Sequence, residues 1–175
     1  ESSAASDVYK RQNDGGVYYV NTDEIRYLYV YTEDGAVENV DCLKVFPNLS
    51  EVSLDKVNAS DLKFADTVTL VSLSGITSSS VKVEANGVMM LSLYANKKGT
   101  TASLPSFSNL TSLSLYNIKL PSFDGSKCSK LSFLSLDRTQ TSSIKGLKNL
   151  KGLSTFGISG STLKSLDPVS YTHLR

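Results

Sequence analysis

Apolar residues recur along this chain in one local spacing: a hydrophobic position, two others, a hydrophobic position, one other, and a third hydrophobic position. Leu110-Thr-Ser-Leu113-Ser-Leu115 is its cleanest form. Ile25-Arg-Tyr-Leu28-Tyr-Val30, Leu49-Ser-Glu-Val52-Ser-Leu54, Val68-Thr-Leu-Val71-Ser-Leu73 and Val88-Met-Met-Leu91-Ser-Leu93 precede it. Leu131-Ser-Phe-Leu134-Ser-Leu136 and the degenerate Leu150-Lys-Gly-Leu153-Ser-Thr155 follow. The last positions fall at 30, 54, 73, 93, 115, 136 and 155, in steps of 24, 19, 20, 22, 21 and 19 residues. A period near twenty predicts a repeat solenoid. The fourth and sixth positions alternate as a short strand requires, so the first, fourth and sixth are expected to face inward. One such coil cannot bury its own apolar face. The coils must stack, and their strands then form a parallel sheet.

Between the copies runs a second apolar set: Leu43/Phe46, Leu62/Phe64, Val81/Val83, Leu104/Phe107, Leu120/Phe123, Ile144/Leu147 and Leu163/Leu166. These residues are expected to plug the core from the return side, with Pro105 and Pro121 setting an extended path. Coils this short leave no room for a long helix, so extended pieces, tight turns and one-turn 3₁₀ segments are expected there.

The LxxLxL spacing resembles that of the leucine-rich repeat family, over residues 25–166. That resemblance implies a horseshoe solenoid of about seven repeats, with a parallel β-sheet on the concave face. Loops, extended segments and short 3₁₀ turns would make the convex face. The family's asparagine three residues beyond the last leucine is replaced by Val57, Ile76, Ile118, Thr139 and Ile158, and only Asn96 keeps the type. A parallel β-helix of similar coil length is therefore the alternative fold. The likeness to internalin-like bacterial repeats implies a surface or secreted protein.

Residues 1–12 and 167–175 fit no repeat and resemble translated sequencing-adapter read-through, as on genes assembled from metagenomic DNA. The natural protein is then expected to continue past both ends. Residues 13–24 read as an irregular strand or preceding repeat, with a turn at Asp14-Gly15-Gly16 before Val17–Val20. Without capping repeats, terminal coils expose unpaired strands and apolar core, so the isolated chain is expected to aggregate.

Third, fifth and seventh positions should point outward from the sheet. The fifth column reads Tyr29, Ser53, Ser72, Ser92, Ser114, Ser135 and Ser154, and the seventh Tyr31, Asp55, Ser74, Tyr94, Tyr116, Asp137 and Phe156. The third reads Tyr27, Glu51, Leu70, Met90, Ser112, Phe133 and Gly152. A low polar furrow between aromatic and apolar posts suits recognition, because Tyr and Phe offer large contact area for little lost rotamer freedom. The candidate ligand-binding residues are Tyr94, Tyr116, Phe133, Phe156, Asp55, Asp137, Met90, Ser92, Ser114 and Ser135. A serine ladder is equally the mark of a solvated sheet face whose hydroxyls bond one another across strands. A protein partner is expected, with a glycan as the alternative ligand and the targeting arm of an enzyme as a third reading.

Charge and chemistry narrow this further. The net charge is +1, and without Glu1, Asp7, Lys10, Arg11 and Arg175 the chain holds 15 basic and 15 acidic residues. No basic footprint for nucleic acid emerges, and no apolar run approaches membrane-spanning length. The one histidine, His173, lies in the 167–175 tail, so imidazole-based catalysis and metal binding have no material in the repeats. Asp55 and Asp137 sit four coils apart, about 19 Å at strand spacing, too far for concerted acid–base work. No cofactor is implied, and the repeats read as a non-catalytic module. Cys42 and Cys128 are also four coils apart, beyond disulfide reach, and are expected as free thiols filling small core sites. Thr32-Glu-Asp-Gly35 lacks the alternating ligands of a calcium loop and reads as a turn. Asn48, Asn58 and Asn109 stand in glycosylation triplets.

Overall fold

The computed structural model describes residues 8–13, 16–96, 98–104 and 107–164, with side chains from residue 21 onward. It is a parallel β-solenoid with almost no helix. An antiparallel hairpin comes first, β1 (Val8–Asn13) against β2 (Gly16–Asn21), and stands as a sheet of its own. β1 lies mostly within residues 1–12, and β2 covers the strand expected at Val17–Val20.

Seven strands then build one parallel sheet, a coil to each strand. They are β3 (Tyr27–Val30), β4 (Glu51–Leu54), β6 (Leu70–Ile76), β8 (Met90–Ala95), β10 (Ser112–Tyr116), β13 (Phe133–Asp137) and β15 (Thr155–Ser159). Their order in the sheet follows the chain, β3 at one edge and β15 at the other. Val52, Val71, Leu91, Leu113 and Leu134 register as one inward column, and Leu54, Leu73, Leu93, Leu115 and Leu136 as the next. All ten are buried. Each such side chain taken from water stabilises by about 1.5–3 kcal/mol, which is why the register cannot slip by one.

The return side is more ordered than extended loops. β5 (Asp61–Lys63), β7 (Ser80–Glu84), β9 (Thr100–Ser103) and β11 (Ile118–Lys119) form a four-stranded parallel sheet. β12 (Ser122–Asp124) pairs with β14 (Ser143–Lys145). Stacking brings successive return segments to strand spacing, and backbone groups with no partner inside their own coil find one in the next. 3₁₀ turns occupy Asp41–Val45, Gly125–Lys127 and Leu147–Asn149. The expected plugs behave accordingly: Leu62, Phe64, Val81, Val83, Phe107, Leu120, Phe123, Ile144 and Leu147 are buried, and Leu43, Phe46, Leu104 and Leu163 pack against them partly exposed. Pro105 and Leu166 lie outside the described residues.

Each coil re-enters the sheet through a tight turn closed by an N–H donating three residues back. The bonds run Leu49 to Phe46, Val68 to Ala65, Val88 to Ala85, Leu110 to Phe107, Leu131 to Cys128 and Leu153 to Leu150. Cys128 therefore fills the place held by phenylalanine in two other coils, and it is buried. Cys42 is instead exposed, because the 3₁₀ turn that carries it faces solvent.

The last coil corrects the expected register. β15 pairs with β13 as Leu134↔Phe156, Ser135↔Gly157 and Leu136↔Ile158. The seventh copy is thus Leu153-Ser-Thr-Phe156-Gly-Ile158, three residues later than the pattern suggested. Leu147, Leu150 and Leu153 each start an apolar pair at three-residue offsets, and only the last is completed by an apolar sixth residue, Ile158. The extra turn at Leu147–Asn149 consumes one offset before the strand begins.

Three residues beyond the last inward position of their coils, Val57, Ile76, Ile118 and Thr139 are buried, and Asn96 is exposed. Asn117, one residue earlier in its coil, is the buried asparagine whose Nδ2 donates to the Ala95 carbonyl at 3.1 Å.

Candidate binding face

The outward positions of the long sheet are set by the same pairings that bury its core. The fifth column stacks Ser53, Ser72, Ser92, Ser114 and Ser135 in register, with Tyr29 before them and Gly157 after. Five serines line up rather than six. Ser154 belongs to a different ladder, at the second position of five coils. There Ser50, Thr69, Thr111, Ser132 and Ser154 each donate a hydroxyl to a carbonyl of the preceding coil, at 2.9–3.3 Å. That ladder is structural, tying coil to coil at the strand entrance.

Tyr94 and Tyr116 stand on neighbouring strands with ring centroids 6.2 Å apart and planes tilted by 31°. The Arg138 guanidinium lies over the Tyr116 ring, 5.4 Å from its centroid, within cation–π range. Met90 and Phe133 occupy the third column on either side of Ser112, exposed at 47% and 37%. The half-buried serines 92, 114 and 135 run between these two rows of posts.

Phe156 is not among them. Its pairing with Leu134 turns it inward, where it packs partly buried against the core. Thr155, Gly157 and Ser159 take the three outward places of that strand.

Asp55, just after β4, and Asp137, the last residue of β13, lie at the same rim as the tyrosines. Each is held by the next coil: Ser74 Oγ donates to Asp55 Oδ1 at 2.6 Å, and Ser159 Oγ donates to Asp137 Oδ1. The two carboxylates are separated by the Ser74, Tyr94 and Tyr116 coils. The chain after each turns left-handed, at Lys56 (φ 52°) and Arg138 (φ 51°). That turn swings both cations back over the rim, Lys56 Nζ to 5.7 Å from the Tyr31 ring centroid. The two cations were not singled out from the sequence. Their signal was the repeated Ser-Leu-Asp-Lys56 and Ser-Leu-Asp-Arg138, identical in register in the second and sixth copies.

Tyr27 and Tyr29 on β3 and Tyr31 just after it are the most exposed large hydrophobic side chains described, at 58%, 71% and 74%. The face as a whole is a rim of aromatics, carboxylates and cations around a hydroxyl furrow. Such a surface can bury apolar area and exchange hydrogen bonds. Among the described residues no three His, Cys, Asp or Glu side chains gather as metal ligands. No described helix is long and apolar enough to cross a membrane. A scan against models of the known protein families finds no match, and a search of curated proteins finds none either.

Proposed function

We propose that this solenoid is a non-catalytic binding module that recognises a protein partner through the outer face of its long sheet. The observation that carries the reading is the cluster Tyr94, Tyr116, Met90 and Phe133. It is a set of large apolar side chains in two rows, with Tyr94, Met90 and Phe133 exposed and Tyr116 half-buried, held on paired strands instead of loops. A soluble monomer seldom gathers such side chains on one face without a use for them. Rigid placement lowers the ordering cost of binding. Ser92, Ser114 and Ser135 offer adaptable hydrogen bonds between the rows. The leucine-rich repeat type is favoured by the in-register leucines, and the paired return strands favour the β-helix alternative. The first type, through its internalin-like likeness, would place the module on a bacterial surface or among secreted proteins.

The test is a binding screen of the chain against extracellular proteins, with Tyr94→Ala/Tyr116→Ala beside the wild type and Lys63→Ala on the return side as control. A partner lost with the tyrosines and kept by the control supports the reading. A partner indifferent to both tyrosines refutes it. One observation favours a glycan as second reading: Asp55 and Asp137 sit beside aromatic rings, as sugar stacking with hydroxyl bonding requires. A glycan array with no hits would remove that reading.

A further inference from the structure

The two ends of the solenoid are complementary to each other, in three independent ways. The first is hydrogen bonding. In β3, the Arg26 and Val30 carbonyls accept from β4, through Ser50, Glu51 and Asp55 N–H groups. The alternate residues Tyr27, Tyr29 and Tyr31 therefore turn their backbone groups to the open edge, which has no strand partner among the described residues. In β15, Ser154 and Thr155 N–H groups donate to Ser132, and the Ser159 carbonyl accepts from Arg138. Phe156 and Ile158 are left facing the opposite open edge. One edge thus presents odd positions and the other even positions, the pairing used at every internal step.

The second is side-chain size. Continued in register, Tyr27, Tyr29 and Tyr31 would lie beside Thr155, Gly157 and Ser159. Three bulky rings meet three small residues, with Tyr29 covering the bare backbone of Gly157. Beneath them the half-exposed Leu28 and Val30 would meet Phe156 and Ile158.

The third is charge. Residues 21–48, the first coil, hold six acidic side chains (Asp23, Glu24, Glu33, Asp34, Glu38 and Asp41) against Arg26 and Lys44. Residues 138–164, the last coil, hold Arg138, Lys145, Lys148, Lys151 and Lys164 and no acid. The net charges are −4 and +5 on opposite ends of a chain that is nearly neutral overall.

We infer that copies of this chain associate head to tail, β15 of one continuing into β3 of the next as a single parallel sheet. The contact is heterologous and does not close on itself, so its products are linear stacks that lengthen with concentration. Like-charged ends repel, which excludes head-to-head pairing and gives the stack one polarity.

The experiment is sedimentation and light scattering of the 175-residue chain, with two charge-reversed variants. Glu33→Lys/Asp34→Lys/Glu38→Lys takes the first coil from −4 to +2, and Lys148→Glu/Lys151→Glu/Lys164→Glu takes the last coil from +5 to −1. All six side chains are exposed, and circular dichroism reports whether the fold is kept. Expected are wild-type stacks at low salt whose association weakens about tenfold in 0.5 M salt, where the Debye length shrinks to a few Å. Each variant alone should be monomeric, and an equimolar mixture should regain stacks of alternating copies. A wild type that stays monomeric at millimolar concentration overturns the inference. So do variants that associate alone as the wild type does, which is the behaviour of non-specific apolar aggregation. Tyr94→Ala/Tyr116→Ala, remote from both edges, should stack normally, so this outcome is separate from that of the partner screen.

Discussion

Thr139 occupies a column otherwise filled by Val57, Ile76 and Ile118, all at 0% exposure like Thr139 itself. Its hydroxyl has no hydrogen-bond partner among the described residues. Burying a hydroxyl unpaired costs about 1–3 kcal/mol. Thr139→Val keeps the branched shape and replaces the oxygen by a methyl, so it removes that cost and opens no cavity. The expected gain is about 1–2 kcal/mol. With a guanidinium dependence near 4 kcal/mol per molar, that moves the unfolding midpoint up by about 0.25–0.5 M. Thr100→Val is the matched control. Thr100 is also buried, but its Oγ1 donates to the Ser78 carbonyl at 2.8 Å. Losing that bond should cost about 1 kcal/mol. Opposite signs for two Thr→Val changes, read by equilibrium denaturation, are the prediction. A Thr139→Val protein less stable than the wild type would refute it and show that the hydroxyl is satisfied in solution.

Three further outcomes follow from the coil geometry. Gly87→Ala should destabilise by more than about 3 kcal/mol, since a Cβ there would lie 1.9 Å from the Asp66 carbonyl oxygen, and backbone on both sides must shift. Asp124 accepts the side-chain and then the backbone hydrogen bond of Ser126, and both hold its carboxyl below the usual aspartate range. A depressed carboxylate contributes stability that is present at neutral pH and lost as pH falls through the folded value. The wild-type urea midpoint should therefore drop more steeply below about pH 4 than that of Asp124→Asn. Burial pushes the Cys128 thiol up, outweighing a backbone hydrogen bond from Phe107 that lowers it, whereas Cys42 is exposed. A chromogenic thiol reagent should titrate one group in the native protein and two after denaturation, and two fast thiols in the native state would contradict the packing of Cys128.

Local pattern alone determined the coil, the parallel sheet and the inward residues, because every inward column repeats at near-constant spacing and a core position announces itself by hydrophobicity. It also determined which side of each strand carries Tyr94, Tyr116, Met90 and Phe133, since alternation in a strand leaves no other choice. Register at Leu147, Leu150 and Leu153 was harder to read. Three offsets share the first two apolar positions, only Leu153-Ser-Thr-Phe156-Gly-Ile158 completes the sixth, and pairing with β13 turns Phe156 inward. The return-side sheets were likewise decided by stacking, because short extended segments gain hydrogen bonds only from neighbours about twenty residues away. The swing of Lys56 and Arg138 over the rim needed the left-handed turn that follows each strand. The opposed charges of the two end coils could be counted in the sequence. What they face became meaningful only once the solenoid set residues 21–48 and 138–164 at its two opposite edges, each beside an open strand.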